Sequence, residues 1–103
     1  MSHVSDVIIC LSPGEEIDDN ATTPPIQEIN KYLMAQNRGE LKKVDDYAGG
    51  YKAVQAAVWM GAFNHLDIPE FLNVVKAQQW EGREIVQVFI KDEHEKTFTP
   101  RSI

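Results

Sequence analysis

Two apolar runs rich in β-branched residues, Val7–Leu11 (VIICL) and Ile85–Ile90 (IVQVFI), stand far apart in a chain of 103 residues. Ser12-Pro13-Gly14 closes the first and Glu81-Gly82 precedes the second, so each run predicts a strand bounded by turn formers. Helical patterns lie between them. Strands on both sides of helices must share a sheet to bury their apolar faces, with the helices laid mainly on one face of it. The predicted class is α+β: a single globular domain over 1–103, a two-layer sandwich with a small mixed sheet, in the order β-α-β-α-α-β-β.

The helix starts have a clear chemistry. Thr22 or Thr23 can cap a helix whose first positions are Pro24-Pro25, where the missing proline N–H would be unpaired in any case. Ile26, Ile29 and Leu33 then recur at helical spacing, and Asn37-Arg38-Gly39 ends the segment with glycine free for a left-handed cap. Glu40–Asp46 predicts a short exposed strand. Gly49-Gly50 punctuates, and Val54, Ala57, Val58, Met60, Gly61, Ala62 and Phe63 predict a second helix over about 51–64, apolar around most of its circumference and therefore central. Asp67-Ile-Pro-Glu70 opens a third helix as a capping box, with Phe71 and Val75 on one buried stripe. Lys96–Thr99 predicts an edge strand that Pro100 limits, with a loose tail over about 100–103.

Charge sorts the function classes. Ten basic residues against 16 acidic ones give a net charge of −6, and phosphate-held nucleic-acid binding needs the opposite sign. Apolar runs are too short for a membrane span. One cysteine makes no internal disulfide and no cysteine-rich zinc site. Together with a start that lacks Lys and Arg, the lone thiol predicts a reducing, cytoplasmic setting. Residues 1–30 hold six acids (Asp6, Glu15, Glu16, Asp18, Asp19, Glu28) and neither Lys nor Arg. The whole net charge therefore sits in the first third, much of it in the polar loop over about 12–23.

No motif fixes a reaction. Cys10 needs a base and an electropositive setting to act as a nucleophile; His65 and Asp67 offer a base and its orienter, but the acidic loop beyond Cys10 pushes a thiol pKa the wrong way. His3, His65 and His94 lack the i, i+4 spacing of helical metal ligands, and Asp92-Glu-His-Glu95 predicts a solvated turn. Glu15, Glu16, Asp18 and Asp19 lack the order of a calcium loop. Gly49-Gly50-Tyr51-Lys52 lacks the P-loop frame and follows Asp45-Asp46, which would repel phosphate. Trp59 predicts core packing; Trp80, in the polar run QQWE, predicts either a core edge or a partner-facing anchor.

The expectation is thus a protein without metal, cofactor or catalytic residues, one that binds another protein, as an immunity protein, antitoxin or inhibitor does. Its partner would present a basic surface to Glu15, Glu16, Asp18 and Asp19. Trp80, His65 and Tyr47 are further candidates for an interface or a ligand. The alternative is a homodimer with a ligand or active site between subunits, joined by sheet edge or sheet face. A structural part of a larger assembly, such as a phage particle, is the third.

Overall fold

The computed structural model describes residues 3–12, 24–44, 49–51 and 56–103. The first apolar run becomes the middle of the sheet. β1 (Val4–Leu11) buries Ser5, Val7, Ile9 and Leu11 and leaves Val4, Asp6, Ile8 and Cys10 partly accessible, the period of two that a strand imposes. β3 (Ala57–Asn64) flanks it on one side, with Ile8 opposite Met60. β4 (Gln87–Lys91) flanks it on the other, with Ile8 opposite Phe89. The short β2 (Lys42–Lys43) and β5 (Thr99–Arg101) complete a five-stranded order β2-β3-β1-β4-β5. All neighbouring pairs are antiparallel. β1 and β2 therefore run parallel with β3 between them, and β3 and β4 run parallel with β1 between them. This is the split βαβ order of the ferredoxin-like topology, with a fifth strand added.

α1 (Pro24–Ala35) connects β1 to β2, and α2 (Ile68–Lys76) connects β3 to β4. Ile26, Ile29 and Leu33 from α1 and Phe71 and Val75 from α2 join Val7, Ile9, Leu11, Trp59, Phe63, Val88 and Ile90 from the sheet in one buried cluster. Both helices therefore cover the same sheet face. The stripe expected on α2 is fully buried, Phe71 and Val75 each at 0% exposure.

The helix expected over about 51–64 is not there in its second half: residues 57–64 are β3. Ala57, Trp59 and Phe63 are buried while Met60, Ala62 and Asn64 are exposed, a period of two in a segment whose two faces are both apolar. An all-round apolar run carries no periodic signal, so helix and buried strand read alike. Gly61 lies within this strand. A Cβ there would collide with the Phe63 ring, which covers the space that the missing side chain leaves, as aromatic side chains do over strand glycines.

Helix ends follow side-chain chemistry. The Asp67 carboxylate accepts from the Glu70 amide at 3.1 Å. Glu70 does not return the favour to Asp67; its carboxylate accepts from the Tyr32 hydroxyl at 2.6 Å and ties α2 to α1. At the end of α1 the left-handed position falls on Asn37 (φ 57°), and the Arg38 amide reaches back to the Leu33 carbonyl at 3.0 Å. That is a Schellman ending with asparagine in the place usually held by glycine. Beyond α2, the Trp80 indole N–H donates to the Val75 carbonyl at 3.0 Å, Gln78 donates to Val74 at 2.9 Å, and Arg83 donates to Lys76 at 2.9 Å. Three side chains thus satisfy carbonyls that the helix itself leaves open.

Strand β4 starts two residues later than the apolar run suggests. Arg83–Ile85 is a 3₁₀ turn and Ile85 is 51% exposed. Pro100 lies inside β5, opposite Phe89, on the sheet's outer edge, where a proline's missing N–H is tolerated. Ile103, in the segment expected to be loose, packs against the core.

Candidate functional site

Both helices lie on one face, and among the described residues no helix lies on the other. The registers align its side chains in rows. One row crosses all five strands: Lys42, Met60, Ile8, Phe89 and Pro100. Beside it run Ala62, Asp6 and Lys91 on one side and Val58, Cys10 and Gln87 on the other. Met60 is 42% and Phe98 39% exposed. Phe98, Met60, Ala62 and Asp6 border a shallow, open groove of about 400 Å³. Apart from Asp6, Lys91 and Lys42, the rows are uncharged. Cys10 lies among them as a free thiol, and burial pushes its pKa up, away from the thiolate a nucleophile requires.

A polar cluster sits where the start of β1 meets the end of β4. Asp6 pairs with Lys91, so the next step of the ladder brings Ser5 and Asp92 together. One oxygen of Asp92 accepts both the Ser5 hydroxyl at 2.8 Å and His3 Nε2 at 2.7 Å. The Ser5 hydrogen bond, aided by the Glu93 amide and by His3, holds the Asp92 carboxyl below its ordinary pKa despite some desolvation. Ser, His and Asp are the residue types of a hydrolytic triad, but the connections differ. Ser5 gives its proton to the carboxylate, not to the imidazole, and it is fully buried. A triad needs the nucleophile on the base, so these three form a structural knot.

The residues singled out by sequence fall in separate places. Glu15, Glu16, Asp18, Asp19 and Tyr47 lie outside the described residues. Trp80 is 8% exposed in the core cluster, with its N–H engaged by Val75. His65 is an exposed turn residue with φ 55° between β3 and α2, and its amide donates to the His3 carbonyl at 2.7 Å. Cys10 is on the opposite sheet face from the caps of α2, so Cys10, His65 and Asp67 form no catalytic set. His3 and His94, scattered in sequence, come together: their rings meet edge to face with centroids 5.9 Å apart. His3, Glu93 and His94 are the described residues that could hold a metal ion, with one ligand atom from each lying within 4.8 Å of the others.

Sequence reasoning missed the Met60–Ile8–Phe89 row, although one signal was available. VIICL is apolar at consecutive positions, which makes both faces of β1 apolar. No protein-family model, curated protein or solved structure matches the chain. Among the described residues, no helix is long and apolar enough to cross a membrane.

Proposed function

We propose that this chain is a small cytoplasmic interaction domain, without catalytic chemistry of its own, whose working surface is the sheet face opposite α1 and α2, and that this face takes a second copy of the chain. The Lys42–Met60–Ile8–Phe89–Pro100 row carries the proposal. Strands about 4.8 Å apart and eight-residue central strands give the face roughly 500 Å² in projection. Side-chain relief raises that toward the ~800 Å² that each partner of a standard interface buries. Charge permits a like partner at this face. The chain carries −6 overall, so two copies repel through most of their surface, but the rows of this face hold one acid and two lysines and so carry little of that negative charge. Asp6 on one copy can meet Lys91 or Lys42 on the other. The shallow groove beside Phe98 would then be closed by the second sheet.

Sedimentation velocity over a range of concentrations, with chelator present, tests this directly. The expected result is a dimer that Met60→Glu turns into a folded monomer, with Cys10 reacting faster with a thiol reagent in the variant. A wild-type chain that stays monomeric at the highest concentration overturns the proposal.

The acidic first third supports a second partner, a protein with a basic surface. Neutralising Glu15, Glu16, Asp18 and Asp19 together would slow that association at least tenfold at low salt, where steering acts most strongly. Unchanged on-rates would remove the acidic dock and leave the sheet-face dimer standing.

A further inference from the structure

Glu93 and His94 are carried on a turn that is locked at both ends. The Glu95 amide donates to the Asp92 carbonyl at 2.9 Å. In the other direction the Asp92 amide donates to Glu95 Oε1 at 3.0 Å, and Arg101 holds the same oxygen at 3.1 Å. The tip of this turn faces His3, whose own backbone is fixed by the His65 amide. Three potential ligands thus converge from two chain segments that the β1–β4 ladder joins.

Asp92 engages one ring nitrogen of His3. Nε2 is 2.7 Å from the carboxylate, which accepts from it. The other ring nitrogen, Nδ1, is turned toward the acidic turn and lies 3.8 Å from Glu93 Oε2. A carboxylate on the far nitrogen of a histidine is the usual outer partner of a metal-ligating imidazole, because it fixes the tautomer and raises the basicity of the ligating atom. Ser5, fully buried, anchors that carboxylate in turn.

We infer that His3 Nδ1, the Glu93 carboxylate and one ring nitrogen of His94 bind a divalent first-row transition ion, with Asp92 as the outer partner of His3. Zinc bonds of about 2.0–2.2 Å place tetrahedral ligand atoms about 3.4 Å apart. The 3.8 Å separation of His3 Nδ1 and Glu93 Oε2 is already close to that value, and the remaining closure lies within side-chain torsions at an accessible site. Two imidazoles with one carboxylate select zinc, nickel or copper over calcium and magnesium, which take oxygen ligands. Three protein ligands leave a fourth position open to water or to a partner's side chain. None of this rests on the sheet-face dimer, because the cluster lies at the end of the sheet.

Zinc alone is the probe, titrated into the full chain after chelation and dialysis and followed by calorimetry and thermal melts. The expected result is one zinc per chain, and a Tm several degrees higher once free zinc exceeds Kd about a hundredfold. Affinity should fall tenfold or more in His3→Ala and in His94→Gln, and about tenfold in Asp92→Asn, as for other outer partners of a ligating histidine. His94 is exposed on the turn, so His94→Gln keeps the fold and its metal-free Tm serves as the check. His65→Ala, outside the cluster, should bind as the wild type does. Equal zinc affinity in wild type and in His94→Gln overturns the assignment. So does an absence of zinc binding in the wild type, or a stronger response to calcium than to zinc.

Discussion

Gly61 offers the sharpest test of how β3 is packed. Alanine normally favours a regular element over glycine by about 0.5–1 kcal/mol. Here a Cβ would collide with Cζ of Phe63 and sit 2.9 Å from its Cε2. Phe63 is 1% exposed, so its ring must displace core neighbours to give way. Overpacking of this kind costs about 1–3 kcal/mol and more when the obstructing group is fixed. Gly61→Ala should therefore destabilise by about 2 kcal/mol net, a large share of a small domain's stability. Urea denaturation at constant m-value measures it. The cause is isolated by repeating the substitution in a Phe63→Leu background, where the ring atoms that obstruct the Cβ are gone. There Gly61→Ala should cost under about 0.5 kcal/mol, the difference between backgrounds being the coupling energy of the pair. Equal costs in both backgrounds, or a neutral Gly61→Ala in the wild type, would refute the account of β3 given above.

Three other outcomes follow from single contacts. Phe71→Ala should lose about 3–5 kcal/mol in a denaturant melt, because Phe71 is fully buried between α2 and the sheet. Asp67→Ala should lose about 1 kcal/mol by the same measurement through its cap bond to the Glu70 amide, and Asp67→Asn much less. The Tyr32 hydroxyl is pushed above the ordinary tyrosine range by burial and by its bond to Glu70. The folded state thus holds this proton more tightly than the unfolded state, so stability is complete below about pH 10 and declines as pH rises further. Tyr32→Phe should flatten that alkaline decline in pH-resolved melts, and an unchanged slope would assign it to other groups.

What could be read from the sequence depended on how local the cause was. Pro24-Pro25, Asp67 with Glu70, and the Ile26-Ile29-Leu33 stripe act within one or two turns, and each lies where the pattern placed it. β3 reads as a helix because its run is apolar on both faces, which hides the period of two. The left-handed cap of α1 shifted from Gly39 to Asn37 for a milder reason, since asparagine also tolerates that conformation. The candidate sites were the least legible. His3 and Asp92 meet because β1 pairs with β4, and a pairing between distant strands leaves no mark on the spacing of either histidine. Trp80 could be read two ways until the Val75 carbonyl showed where its N–H is engaged.

The central position of β1 sets the order of events when the chain folds. Ile8 stands between Met60 and Phe89, so β1 is synthesised well before either neighbour. Until both arrive, two unpaired edges and two apolar faces of VIICL are exposed together. Long-range pairings of this kind slow folding toward the millisecond-to-second range, because loop closure must precede the contacts that reward it. The interval is also when such a segment is most prone to pair with a copy of itself on another chain. Asp6 stands within the strand just before the continuous apolar run begins, and a charge at that position opposes such stacking.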